Sequence, residues 1–231
     1  MKDYDREYYR RWYRDPSTRI GTAETARRKA ALAVSAEFIL GKTVETVLDV
    51  GCGDGLWLAA LAKLRPRIKY IGVDPSEYVV QRLGKRHDIR LGTMGELPAI
   101  TLKKPFDLVV CADVIQYVEN KALRRGLGEI RRLTGGVAYI EAFTVEDNME
   151  GDRDGWIDRS ERVLRRFFRD AGLTHCGLYC WIDERKIRNA NRFEIASRQL
   201  AASSDYFDRI VNSRRDTAGD SPGRPTPISS A

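Results

Sequence analysis

The chain has 231 residues, with 40 Lys and Arg against 33 Asp and Glu, two His, four Cys and a formal net charge of +7. That length suits one substantial α/β domain with extensions and is short for two full-sized domains. The opening MKDYDREYYRRWYRDPS is charged and aromatic, unlike a leader or a membrane anchor. With no long uninterrupted apolar run elsewhere, a soluble cytoplasmic protein with no membrane contact is expected.

The charge excess lies at the ends. Residues 1–30 hold nine basic and five acidic side chains, 31–183 hold twenty-two of each, and 184–231 hold nine and six. A nucleic-acid enzyme more often carries its basic surface on the catalytic domain, so nucleic acid stays a minor reading in which the basic ends serve as docking arms. Cys52, Cys111, Cys176 and Cys180 lack a paired metal-ligand spacing, and neither a metal site nor a disulfide framework is expected.

In chain order, Tyr4, Tyr8, Tyr9, Trp12 and Tyr13 interleave with Arg6, Arg10, Arg11 and Arg14, and Tyr9, Trp12 and Tyr13 share a helical face. Residues 1–40 read as a helical cap, either simply docked on the core or closing over a substrate as a lid. Apolar strand-like runs then alternate with helical patterns. TVETVLDV is a strand, LWLAALAKL a helix, KYIGVD a strand, YVVQRLGKR a helix, DIRLG a short strand, FDLVVCAD a strand and KALRRGLGEIRRL an amphipathic helix. GVAYIEAF is a fifth strand, SERVLRRFFRDAGL a helix closed by Gly172, and THCGLYCW a sixth strand. Beyond Asp183, RFEIAS alternates as a strand does, inside an extension over 184–213 that is otherwise helical in character. Residues 214–231, rich in Pro, Gly, Ser and Thr, read as disordered. The alternation predicts an α/β domain over 41–183: a doubly wound, mostly parallel sheet of about seven strands with helices on both faces.

In such a sheet ligands bind beyond the carboxyl ends of the strands, where strand order reverses, which makes the turn of VLDVGCGDG the default site. It is not a P-loop, because no G-x-x-x-x-G-K-[ST] occurs, and it is not the usual dinucleotide fingerprint, because Leu56 stands where the third glycine belongs. Asp49 and Asp54 would repel a pyrophosphate and suit a cationic ligand. Asp74, ending KYIGVD, can accept hydrogen bonds from both hydroxyls of a ribose. A ligand with ribose, positive charge and no phosphate fits S-adenosylmethionine.

These residues resemble the class I S-adenosylmethionine-dependent methyltransferase family over about residues 40–181. VLDVGCGDG matches the family's first motif and YIGVDPSEY its second, GTMGELP resembles the segment around adenine, and FDLVVCADVIQYV resembles the fourth-strand motif. The resemblance implies a Rossmann-like methyltransferase fold with S-adenosylmethionine held by Asp49, Gly51, Cys52, Gly53, Asp74, Pro75, Thr93, Met94, Asp113 and Val114. Asp49 would orient the turn and face the methionine amino group, and Asp74 would hold the ribose from a strand end where substitution spares folding. Asp54 reads equally as a helix N-cap.

Two departures from the family stand out. Thr93 replaces an acidic residue that often meets the adenine amino group, and Gln116 then Tyr117 stand where many small-molecule members carry His. His87 and His175, the only histidines, fall at a helix end and a strand start. Methyl transfer is a direct displacement that gains much from aligning the reactants, so a base is needed only for some acceptors. Asp113, Glu141 and Tyr117 are the candidates, against structural readings as a strand-end cap, an ion-paired carboxylate and an aromatic lid. The long acidic loop TVEDNMEGDRDGWIDRS reads as a binding loop or as solvated surface. Within it Trp156 and Arg159, with Gln116 and the lid residues Tyr9 and Tyr13, are candidate acceptor contacts. The expected function is methyl transfer to a small molecule; an RNA or protein methyltransferase and a non-catalytic cofactor-binding module are the alternatives.

Overall fold

In a computed structural model of the chain, residues 2–17, 23–99, 105–147 and 152–186 are described. They fall in one compact unit spanning 1–195. The extension and tail expected from the sequence, RFEIAS included, lie outside the described residues from 187 onward.

The elements are α1 (Arg6–Tyr9), continuing as a π-helical turn over Arg10–Arg14, α2 (Ala23–Leu40), β1 (Thr46–Val50), α3 (Leu56–Leu64), β2 (Lys69–Asp74), α4 (Glu77–His87) and β3 (Ile89–Leu91). After a 3-10 turn at Met94–Ala99 come β4 (Phe106–Cys111), a second 3-10 turn at Ile115–Tyr117, α5 (Asn120–Leu133), β5 (Thr134–Ile140), α6 (Glu161–Asp170), β6 (Thr174–His175) and β7 (Cys180–Ile182). The seven strands form one sheet in the order β3-β2-β1-β4-β5-β7-β6. Strands β1 to β5 run parallel, and β7 pairs antiparallel with both β5 and β6.

The central strands are near-continuous apolar runs because both faces of the sheet are covered. One core packs α5, α6 and the Met94 turn on one face, around Leu48, Val109, Leu127, Ile130 and Phe168. The other packs α2, α3, α4 and the N-terminal segment, around Val47, Trp57, Leu61, Val79 and Tyr139. Strand order reverses between β1 and β4, which opens a crevice at their carboxyl ends.

The sixth strand expected over THCGLYCW is instead a tight hairpin. Gly177, Leu178 and Tyr179 all take positive φ, at 87°, 50° and 59°. The Cys180 amide donates to the Gly177 carbonyl at 2.8 Å, and the Cys176 amide to the Cys180 carbonyl at 2.9 Å. The seventh strand therefore comes from within this segment. The fifth strand also begins two residues earlier than expected, at Thr134, and ends at Ile140.

Candidate functional site

Three turns and one helix meet at the crevice. Strand β1 delivers Asp49 and the glycine turn, β2 delivers Asp74, β4 delivers Asp113 to Tyr117, and α2 contributes Lys29.

Gly51, Gly53 and Gly55 hold φ values of 75°, 51° and 76°, a left-handed course that side-chained residues rarely adopt. Space enforces the same choice: a Cβ on Gly51 would lie 2.2 Å from Val114 Cγ2, and one on Gly53 would lie 3.0 Å from the Tyr13 hydroxyl. The bare turn exposes backbone to the crevice as a close-fitting ligand needs. Asp74, 3% exposed, braces it. One Asp74 oxygen accepts from the Gly53 amide at 2.8 Å; the other accepts from the Ser76 amide at 2.9 Å and the Tyr9 hydroxyl at 3.4 Å. Desolvation raises its pKa, against the pull of these donors. Because two backbone amides bond to Asp74, the residue supports the turn as well as facing the crevice.

Asp49, 1% exposed, accepts from the Tyr70 hydroxyl at 2.8 Å. Burial lifts its carboxyl to about 7, opposed by Tyr70 and by the charge of Lys29. Sequence reasoning missed Lys29. It stands on α2 with its ammonium 5.0 Å from the Trp57 ring centroid. Burial lowers its pKa, while Asp49, Glu141 and Asp113 draw it back up. A partly buried cation near three carboxylates suits a ligand that brings both an ammonium and a carboxylate, as the methionine end of S-adenosylmethionine does.

At the end of β4, Asp113 takes φ 63°, the left-handed region that costs a side-chained residue energy and recurs at functional sites. Its carboxylate accepts from Gln116 Nε2 at 2.6 Å, and Gln116 Oε1 is buried with no partner among the described residues. Desolvation raises the Asp113 pKa, partly offset by Gln116, Lys29 and Lys2. Tyr117 donates its hydroxyl to the Asp152 carbonyl at 2.7 Å and sets its ring edge-on to Trp156. Glu141 accepts from the Tyr139 hydroxyl, and burial raises its carboxyl. Asp49, Gly51, Gly53, Asp74, Asp113, Val114, Gln116 and Tyr117 thus share one crevice, with Tyr9 and Tyr13 folded over it.

Several expected contacts lie elsewhere. The Cys52 side chain is buried against Gly72, where a Cβ would come within 2.7 Å of its sulfur, so it packs the sheet and offers the crevice backbone only. Pro75 is exposed, between Asp74 and Ser76. Thr93 commits its amide and hydroxyl to Glu96 at 3.0 and 2.8 Å, capping the following 3-10 turn. The Met94 side chain belongs to the core and presses on Gly126 of α5. Arg159 is 5% exposed and donates to Asn120 Oδ1 and to the Ile115 and Val118 carbonyls, which makes it a strut between loop and turn rather than an acceptor contact. Asp54 does not cap α3, whose N-cap is Gly55, and pairs instead with Arg82 at 3.1 Å. His87 ends α4, and His175 lies on β6 against the Trp181 ring.

A family profile described as "Methyltransferase domain" matches residues 47–135, which include the glycine turn, both acidic strand ends and the β4 turn. Residues 47–135 thus carry a methyltransferase domain, as the resemblance of their motifs to the class I S-adenosylmethionine-dependent family implies. Among curated relatives, an uncharacterized protein of Rickettsia prowazekii is 28% identical over 108 residues, 43% of each chain. A ubiquinone biosynthesis O-methyltransferase of Xylella fastidiosa is 35% identical over 81 residues, 33% of this chain and 32% of the relative. The chain thus spans less than half the length of the curated relatives it matches. In fold, it resembles a SAM-dependent methyltransferase from Archaeoglobus fulgidus, at TM-score 0.54 and 21% identity over 74% of this chain and 75% of that one. It also resembles a methyltransferase from Clostridium acetobutylicum, at TM-score 0.51 and 14% identity over 72% and 85%. The strand order sets Asp49 of β1 and Asp74 of β2 beside the glycine turn. No helix among the described residues is long and apolar enough to cross a membrane.

Proposed function

We propose that this chain transfers the methyl group of S-adenosylmethionine to a small-molecule acceptor by direct displacement. The observation that carries the reading is the pair of buried carboxylates, Asp49 and Asp74, flanking a left-handed glycine turn at the switch point of the sheet. S-adenosylmethionine, when bound, supplies an electrophilic methyl group on a sulfonium. Asp74 accepts from the ribose hydroxyls, with the Tyr9 hydroxyl giving way. Asp49 and Lys29 receive the amino and carboxylate ends of the methionine portion, and the backbone of Gly51 and Gly53 fits against it. The backbone at Thr93 and Met94 remains available to adenine.

Of the three proton-handling candidates, Asp113 is the best placed. Tyr117 already donates its hydroxyl to a carbonyl, and Glu141 is tied to Tyr139. A carboxylate with a raised pKa at the crevice mouth can take a proton from an acceptor that must lose one. The neutral charge of residues 31–183 and the tyrosines closing over the crevice support a small acceptor over a polyanion. The O-methyltransferase among the relatives supports the same class.

Calorimetric titration with S-adenosylhomocysteine tests the cofactor half. One-to-one binding at micromolar or tighter Kd is expected, and no binding by a folded protein would refute it.

A further inference from the structure

The N-terminal segment builds a second feature beside the crevice. Lys2 lies with its ammonium 5.8, 5.3 and 4.6 Å from the ring centroids of Tyr4, Tyr8 and Tyr117, inside the range at which a cation is attracted to an aromatic face. The same ammonium pairs with the Asp152 carboxylate and donates to the Asp154 carbonyl at 3.0 Å. The Lys2 and Asp152 side chains are only 11% and 14% exposed. The walls are fixed independently of Lys2. Tyr4 and Tyr8 pack edge to face at 5.0 Å, the Tyr4 carbonyl accepts from Ser76 Oγ at 2.5 Å, and Tyr117 is anchored to the Asp152 backbone. Three aromatic faces around one carboxylate form a receptor for an ammonium ion.

Its placement links it to the acceptor side of the crevice. Tyr117 belongs to the turn after β4, four residues beyond Asp113, and the Asp113 carboxyl responds to the charge of Lys2. Gln116, between them, keeps a buried amide oxygen that has no donor among the described residues and that an N–H group would satisfy. The approach is acidic: a cavity of about 590 Å³ is lined by Asp3, Asp5, Glu7, Asp152 and Asp154 against three basic side chains. Such a mouth concentrates cations and disfavours anions.

We propose that the methyl acceptor is a cationic, amine-bearing small molecule, and that its ammonium group takes the place in the Tyr4–Tyr8–Tyr117–Asp152 cage that the chain's own Lys2 fills here. The proposal rests on the methyltransferase reading and narrows its acceptor. Lys2 acts as an internal occupant whose side chain substrate displaces, while Tyr4 and Tyr8 stay held by Ser76 and by their mutual packing.

The test uses the full chain and tetramethylammonium as probe, with neopentyl alcohol as a neutral, water-soluble probe of similar size, at constant ionic strength. Removing the occupant with Lys2→Ala, or with Lys2→Gln as a second variant, is expected to tighten tetramethylammonium binding about fivefold or more over wild type, with no gain for the alcohol. Adding Tyr117→Leu to Lys2→Ala should reverse that gain, while Tyr117→Phe should keep it, because the ring face and not the hydroxyl holds the cation. Melting curves identify the folded variants. Equal binding of tetramethylammonium and alcohol by folded Lys2→Ala, or a gain that survives Tyr117→Leu, would overturn the cage. S-adenosylhomocysteine titration of the same samples separates the two failures: cofactor binding without cation binding removes the cage alone, and cation binding without cofactor binding removes the methyltransferase reading.

Discussion

Replacing Asp74 affects binding and folding in amounts that its contacts allow to be separated. In Asp74→Ala the Gly53 and Ser76 amides lose their acceptor in a nearly water-free site. At about 1–3 kcal/mol for each buried unsatisfied donor, and with some relaxation, unfolding free energy should fall by about 2–4 kcal/mol. Asp74→Asn keeps one accepting oxygen, and its amide nitrogen leaves the other backbone donor without an acceptor, so its loss should be about 1–3 kcal/mol. The cofactor sees the difference in charge. Two ribose hydroxyls bonded to a carboxylate contribute roughly 1.5–3 kcal/mol each, so S-adenosylhomocysteine affinity should fall by about one to three orders of magnitude in Asp74→Asn. Urea denaturation gives the first quantity and calorimetric titration the second. A folded Asp74→Asn protein with wild-type affinity would refute the assignment of this carboxylate to the ribose.

Asp49 should make stability depend on pH. Its folded pKa of about 7 lies above the roughly 3.9 of an unfolded Asp, so the folded state holds this proton more tightly. The contribution is full below pH ~4 and is lost as pH rises through 7, by about 1–4 kcal/mol in the ligand-free protein; denaturation at stepped pH should show that slope flattened in Asp49→Asn. Lys29→Met removes the cation facing Asp49, Glu141 and Asp113, and should weaken S-adenosylhomocysteine binding about tenfold and shift its pH dependence upward, as read by titration across pH 5–9. Arg159→Ala leaves two carbonyls and Asn120 without their donor and should cost about 2–4 kcal/mol of stability with cofactor affinity unchanged. A rise in acceptor KM at full stability would instead return Arg159 to the substrate site.

The sheet was legible because its central strands are apolar throughout, which leaves little freedom in where β1, β2 and β4 lie. The glycine turn was legible for a related reason: three residues that must take positive φ leave glycine as the residue of choice. What the sequence did not show was usually set by a contact distant in sequence. Lys29 lies in an alanine-rich helix, and only docking of α2 against α3 and β5 turns it toward Asp49. Cys52 and Met94 occupy motif positions, yet their side chains fill gaps left by Gly72 and Gly126, and this leaves the motif's backbone alone for the ligand. Arg159 resembled an exposed loop cation until its donors met the carbonyls of the β4 turn. The capping role of Thr93 was visible in the sequence as Thr93-x-x-Glu96. The β6–β7 hairpin depends on Leu178 and Tyr179 holding positive φ, which neither residue type announces.

The central claim is that this crevice moves a methyl group. Incubating the purified chain with S-adenosylmethionine labelled in the methyl group and a fractionated small-molecule extract, then following label and S-adenosylhomocysteine by mass spectrometry, measures that directly. The account predicts a labelled small molecule and S-adenosylhomocysteine formed in equal amounts by wild type and, with cofactor held well below the wild-type Kd, reduced about tenfold or more in Asp74→Asn. Tight cofactor binding with no label transferred to any fraction, or transfer undiminished in Asp74→Asn at that cofactor concentration, would contradict it.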